Sequence, residues 1–573
     1  MTSNAPPPAD QERVAATLTK IEPRLKFLYG QRAAEAQAAL RPVLERHEVA
    51  TEPATWSERD VVLITYGDQV RTIDGPALSG LQEFLTSENL TDVINTVHIL
   101  PFCPYSSDDG FSVIDYRQVQ PDIGDWSHVR ELSSHVNLMF DLVLNHCSQQ
   151  SDLFKKYLAG EEPYTRYFVE GDPHADLSQV TRPRSLPLLT AYETSRGTRH
   201  VWTTFSADQV DLNFADPAVL AEFIDILLFY VQQGARIVRL DAIAYLWKEV
   251  GTSCIHLPQT HEVVKLMRDV LDAVAPHVLL LTETNVPHAE NVSYFGNGDE
   301  AHMVYQFSLP PLLLDAFLSQ DASALRNWLG GSAETPSGTT FFNFTASHDG
   351  VGVRPLEGLV SQERFERLVK AAKERGSLIG TKRNADGTDT PYELNIAYVD
   401  ALGEPGGIDP ALHARRFLSS QAIMLALPGV PGIYFHSLVG TQNDTEGASV
   451  SGIARRINRR KFDLEELRQR LRDADSLQAR IFHGYQHLLG TRIQQPAFHP
   501  DACCELVDLD STSLLAFRRT SLDDSQRILC VTNLANAPIS FELDSEGHDL
   551  LTDTKLPAGS TNIDAYQTMW IMQ

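Results

Sequence analysis

Four short stretches of the chain end in side chains able to do acid–base chemistry. Asn145-His146 closes one apolar run, Arg239-Leu240-Asp241 a second and Glu283 a third, while His348-Asp349 stands just beyond a fourth. One charged residue at the end of a buried strand is commonly solvated at a rim or paired with a neighbour. Three carboxylates, two histidines and an arginine converging on one rim are a different matter. Like charges held close together need a reason, and paired carboxylates are the means of breaking and making glycosidic bonds. Arg239 precedes Asp241 by two residues and so shares its strand face. Its guanidinium can hydrogen-bond that carboxylate and favour the ionised form.

Such residues need a scaffold that brings strand ends together. Eight short apolar runs are separated by helical stretches: Val61–Tyr66, Thr96–Leu100, Leu138–Leu144, Ile237–Asp241, Val278–Glu283, Met303–Gln306, Thr340–Phe344 and Val430–Phe435. Their hydrophobicity is continuous, as in strands buried on both faces. The pattern predicts an α/β fold, a (β/α)8 TIM barrel over 59–496, in which chemistry sits at the C-terminal strand ends. Two excursions, 147–211 after strand 3 and 350–402 after strand 7, are too long for simple loops and read as inserted subdomains. Residues 1–58 read as an N-terminal extension. It has a Pro/Ala-rich, disordered first ten residues, then two helices between Asp10 and Glu48. Short alternating strands over 497–573 predict a C-terminal antiparallel β domain.

The chain has 573 residues, 43% of them hydrophobic, which excludes general disorder. Asp+Glu 75 against Lys+Arg 48 gives a net charge of −27, which argues against nucleic acid or an anionic membrane as partner. An anionic small molecule would need a local basic pocket. The six scattered cysteines show no CxxC pair or metal spacing. No signal-peptide pattern and no membrane-length apolar run is present, so the expected location is the cytoplasm. There is no P-loop and no dinucleotide-binding glycine motif.

DLVLNH (Asp141–His146), RIVRLDAIAY (Arg236–Tyr245), LLLTET (Leu279–Thr284) and FTASHD (Phe344–Asp349) resemble the four shared motifs of glycoside hydrolase family 13, the α-amylase superfamily. Further segments are similar to its sucrose phosphorylase-like branch, among them HILPFCPYSSDDGFSVIDY, TRPRSLPLL, WTTFSADQVDLN and ARRINRRKF. Together they run from about Val61 to Phe462. The resemblance implies a retaining α-glucoside phosphorylase that works by double displacement. Asp241 takes the place of the nucleophile, Glu283 of the acid/base, and Asp349 of the transition-state stabiliser. Asp108, Phe111, His146, Arg239, His348, Arg455, Phe205, Gln209 and Tyr245 match residues of the glucosyl site, although a single aromatic such as Phe205 or Tyr245 is more often core than a sugar platform. Arg184 and Tyr392 match phosphate-contacting residues. The implied partners are a small α-glucoside and phosphate as co-substrate, with no cofactor and no metal, in a monomer or homodimer.

The leaving group is where the chain departs from sucrose phosphorylases. Glu393 stands in place of a glutamine and Asn285 in place of a histidine. The loop Gly380–Asn395 resembles those of phosphorylases whose leaving group carries an acid or phosphate. Lys382 and Arg383 are its candidate cations, or simply solvated loop charges. The resemblance favours 2-O-α-D-glucosylglycerate, with sucrose, sucrose 6′-phosphate and glucosylglycerol as alternatives. A hydrolase or transglucosidase of the superfamily and a non-catalytic binding barrel are the competing functions.

Overall fold

A computed structural model describes residues 8–47, 53, 55–183, 187–331, 335–383 and 388–573. The eight apolar runs form β1 (Val62–Thr65), β2 (Thr96–Ile99), β3 (Asn137–Val143), β4 (Ala235–Asp241), β5 (Leu279–Thr282), β6 (Met303–Tyr305), β7 (Thr340–Phe344) and β8 (Val430–Tyr434). They pair in chain order and close into a barrel, with β1 hydrogen-bonded in parallel to both β2 and β8. In β1, β2, β5, β6, β7 and β8 every residue is buried, because helices cover the outside while side chains fill the inside. The helices begin where short polar side chains cap them. Asp216 accepts from the Ala218 amide ahead of Pro217–Gln232, and Asp409 from the Leu412 amide ahead of Pro410–Ala426; in both, proline occupies the first turn.

The register sets the active rim. Leu240 of β4 lies beside Thr282 of β5, so Asp241 and Glu283, one position on, leave adjacent strand ends together. Neighbouring strands are about 4.8 Å apart, a spacing that suits two carboxyl groups acting on one sugar carbon. On the other side, Asp141 of β3 lies opposite Arg239 of β4.

Both excursions fold as small antiparallel arms. The first pairs His146–Ser148 with Gln209–Asp211 and Leu189–Thr194 with Gly197–Trp202. The second is a three-stranded sheet with Asp389–Asn395 between Val351–Gly352 and Leu378–Arg383, plus the helix Gln362–Glu374. The C-terminal region forms a six-stranded sheet, Cys503–Leu506 and Leu514–Thr520 among its strands, and a separate two-stranded one.

The N-terminal helices are α1 (Pro8–Tyr29) and α2 (Ala33–Arg46). Helix α1 starts inside the segment read as disordered, because proline is accommodated in a first helical turn. It lies on Pro258–Val274, with Arg24 bonded to Glu262 at 2.9 Å and to Asp269 at 2.5 Å. Among the described residues no helix is long and apolar enough to cross a membrane.

Candidate active site

The strand ends open into a cleft of about 850 Å³, mouth included. Asp108, Phe111, His146, Phe205, Gln209, Asp241, Tyr245, Glu283, His348, Asp349, Tyr392, Glu393 and Arg455 all line it. Thus the structure collects nearly every residue singled out in the sequence. Arg184 and the side chain of Arg383 lie outside the described residues. Lys382 does not line the cleft; its ammonium stands 3.9 Å from Glu357 at the surface, which favours the solvated-charge reading.

Arg239 sits beneath the cleft and organises the carboxylates. Its Nη1 donates to Asp241 at 2.8 Å and to Asp141 at 2.5 Å, and its Nη2 is 3.9 Å from Glu283. Asp141 also receives His98 Nε2 at 2.7 Å. Burial alone would raise the Asp141 carboxyl, but Arg239 and His98 bring it down to about 2. It is therefore a fixed anion that holds Arg239 in place.

Burial raises both Asp241 and Glu283, with Arg239 opposing and the neighbouring carboxylates adding to the rise. Two such groups share one proton as a pair. Arg239 lies closer to Asp241, where its hydrogen bond favours the ionised form that a nucleophile needs, while Glu283 lacks that bond and can carry the proton that an acid needs. That is one nucleophile and one acid from two like side chains, separated by environment. The backbone orients Glu283, since the Ala242 amide donates to its Oε2 at 3.1 Å, a contact that by itself favours the ionised form. It can do so because Ala242 turns into the left-handed region (φ 49°) directly after Asp241.

Asp349 is partly buried, yet the guanidinium groups of Arg455 and Arg459 hold it well below the usual carboxylate range. Arg455 Nη1 lies 2.6 Å from Asp349 Oδ1. Burial lowers His146 and His348, which keeps both rings neutral. His348 is stacked on Phe111, with centroids 4.8 Å apart and planes 8° from parallel. His146 donates its Nε2 proton to the Phe111 carbonyl at 3.0 Å and contacts Phe205 with the rings tilted by 53°. Gln209 Nε2 donates to Asp108 at 3.2 Å.

Asp108 and Phe111 flank a tight turn in which Asp108 and Asp109 both have positive φ. Gly110 completes it: a Cβ there would lie 2.5 Å from the Pro101 carbonyl oxygen. Asp109 anchors the turn by accepting from Arg456 and Arg459, each at 2.6 Å.

A supporting ring escaped the sequence reading. His98 and Asp141 are polar interruptions inside the apolar runs TVHIL and LMFDLVL, the available signal for both. The Lys248 side chain is 3% exposed, 2.6 Å from Asn145 Oδ1 and 3.0 Å from Asp211 Oδ2, and it ties the first arm to β3. Among the described residues no group of three or more His, Cys, Asp or Glu side chains is placed to hold a metal ion. Asn285, Thr284, Val286 and Phe307 also line the cleft.

This barrel, with its carboxylates at the ends of β4, β5 and β7, is that of the α-amylase catalytic domain, whose family model matches residues 92–329. The chain belongs to the α-amylase family, glycoside hydrolase family 13, in its sucrose phosphorylase-like branch. Its relatives include the glucosylglycerate phosphorylase of Spirochaeta thermophila, 49% identical over 523 residues that cover 89% of this chain and 88% of that one. The protein of the same name from Allomeiothermus silvanus is 48% identical, over 90% of this chain and 92% of its own. The crystal structure of sucrose 6F-phosphate phosphorylase from Thermoanaerobacter thermosaccharolyticum shares the fold, with a TM-score of 0.73 at 24% identity over 88% of this chain and 98% of that one.

Proposed function

We propose that the protein is a retaining α-glucoside phosphorylase that converts 2-O-α-D-glucosylglycerate and phosphate reversibly into α-D-glucose 1-phosphate and D-glycerate. The observation that carries the proposal is the Asp241–Glu283 pair on adjacent strand ends, with Arg239 at 2.8 Å from one and 3.9 Å from the other. Relatives named for glucosylglycerate, at 48–49% identity, support the choice of substrate.

In the first half-reaction Glu283 protonates the glycosidic oxygen while the Asp241 carboxylate attacks the anomeric carbon. Glycerate leaves and a β-glucosyl ester on Asp241 forms. Asp349, kept ionised by Arg455, faces the positive charge that develops on the sugar ring. In the second half-reaction Glu283, now a carboxylate, takes a proton from the entering phosphate. The phosphate oxygen then displaces Asp241, with a second inversion that restores the α-configuration. Tyr392, on the second arm, is the described residue proposed to reach phosphate. Phosphate is a co-substrate, and the reading needs no further cofactor. It describes a cytoplasmic monomer or homodimer.

The test supplies α-D-glucose 1-phosphate with D-glycerate, glycerol, fructose or fructose 6-phosphate in parallel and follows phosphate release. Release with D-glycerate well above the water-only rate is expected. Equal rates with every acceptor and with water would instead define a hydrolase.

A further inference from the structure

The second arm brings to the cleft a carboxylate that the double displacement does not use. Glu393 is 5% exposed and spends both oxygens locally. Oε1 accepts from the Gly350 amide at 2.7 Å and lies 3.0 Å from Arg455 Nη2, and Oε2 faces the same guanidinium at 3.3 Å. The chain makes room for it with glycine. Glu393 pairs with Gly352 on one side and Gly380 on the other, and a Cβ on Gly350 would lie 2.6 Å from its Cγ. Arg455 thus bridges Asp349 of the barrel and Glu393 of the arm.

The charge balance gives this carboxylate a consequence. The described residues lining the cleft include Asp108, Asp241, Glu283, Asp349 and Glu393, with Arg455 as the one Lys or Arg among them. Phosphate and glycerate, which on the reading above occupy the same mouth in turn, are both anions. Asp108, Asp241, Glu283 and Asp349 serve the sugar and its chemistry. Glu393 consumes part of the positive field of Arg455 and adds a negative charge where an anion must sit.

We propose that Glu393 is a positioning residue for Arg455 whose charge also weakens the hold of the cleft on its anionic co-substrates. Phosphate and glycerate are then released rather than trapped between half-reactions. The inference rests on the phosphorylase reading.

Glu393→Gln tests it, because the amide keeps an acceptor for the Gly350 amide and removes only the charge. Two ratios are read in the intact protein. The first is partition of the glucosyl-enzyme between subsaturating phosphate and water. The second is the KM for glycerol over the KM for D-glycerate in the reverse direction. Each is expected to rise about tenfold, the scale of one unit charge acting on an anion across a partly solvated cleft. A role confined to holding Arg455 lowers phosphorolysis and hydrolysis together, leaves both ratios unmoved and overturns the proposal, as does a fall in either. Where the Gln variant does not fold, Glu393→Met, neutral and of similar length, carries the same expectation and the same refutation. If wild-type protein shows no phosphate-dependent turnover at all, the functional reading fails and not this inference.

Discussion

The two walls of the cleft are built on different principles. One is the barrel rim, where Asp241 and Glu283 are set side by side by the register of β4 and β5 and held by a guanidinium clamped to a second buried carboxylate. The other is the second arm, where Tyr392 and Glu393 ride on a hairpin joined to the barrel through Val351–Gly352, the Gly350 amide and Arg455. The rim residues cannot shift without repacking the core, whereas the hairpin stands outside the closed barrel, on an arm whose helix is tied to the barrel by Arg364 with Asp315 and Asp321. Chemistry common to all α-glucosides belongs on the first wall, and the choice of what enters and leaves belongs on the second.

The comparison breaks first where the rim is cut. Asp241→Ala removes the atom that attacks the sugar, and turnover is expected to fall by at least about 10⁴-fold, with either phosphate or water as acceptor. A loss limited to the phosphate reaction would place the nucleophile elsewhere. Arg239→Gln should cost about 10²–10³-fold in kcat/KM, because the pair loses the cation that keeps its charge on Asp241. The sign of the pH effect follows from the same contacts. Arg239 favours the ionised form of both carboxyl groups, so without it both bind protons more readily and both limbs of the kcat/KM profile move to higher pH. The acid limb should move further, since Arg239 is 2.8 Å from Asp241 and 3.9 Å from Glu283. An unmoved acid limb would dissociate Arg239 from the ionisation of Asp241.

The rim was also the more legible wall in the sequence. Its residues end apolar runs that read as buried strands, so the pattern alone puts Asp241, Glu283 and the His348-Asp349 pair at one end of a barrel. His98 and Asp141 were hidden by the same feature, since each looks like an isolated polar residue in an apolar run until β2 and β3 lie side by side. The clamp from Arg456 and Arg459 to Asp109 spans about 350 residues, and no local pattern reports a pair so far apart. On the arm wall the sequence showed Glu393 as a departure from sucrose phosphorylases but not its partner. The meaning of that carboxylate appears only once Arg455 stands between it and Asp349. The start of α1 at Pro8 departs from the expected disorder for a simpler reason: proline marks a break inside a helix and a beginning in its first turn.

Between the two walls, Lys248 connects the barrel to the first arm. It is buried against Asp211 and Asn145, and Asp211 also accepts from the Thr204 amide at 3.0 Å. Lys248→Met keeps the volume and leaves Asp211 without its cation, a change expected to cost about 3 kcal/mol. Equilibrium unfolding in urea followed by far-UV circular dichroism would show it as a lower midpoint. A change below about 0.5 kcal/mol would mean that the arm holds its place without the ion pair.

The smallest expected effect is on the arm itself, and it is the most informative about the division of labour. Tyr392→Phe removes one hydroxyl from the cleft and leaves the ring and its strand pairing in place. If that hydroxyl meets phosphate, its loss is worth one hydrogen bond to an anion, about tenfold in the KM for phosphate. Formation of the glucosyl-enzyme, followed as the burst of glycerate released without phosphate, should change by less than about twofold, because the rim carries that step. Equal losses in both half-reactions would show that the arm also shapes the sugar site, and the two walls would then have to be treated as one.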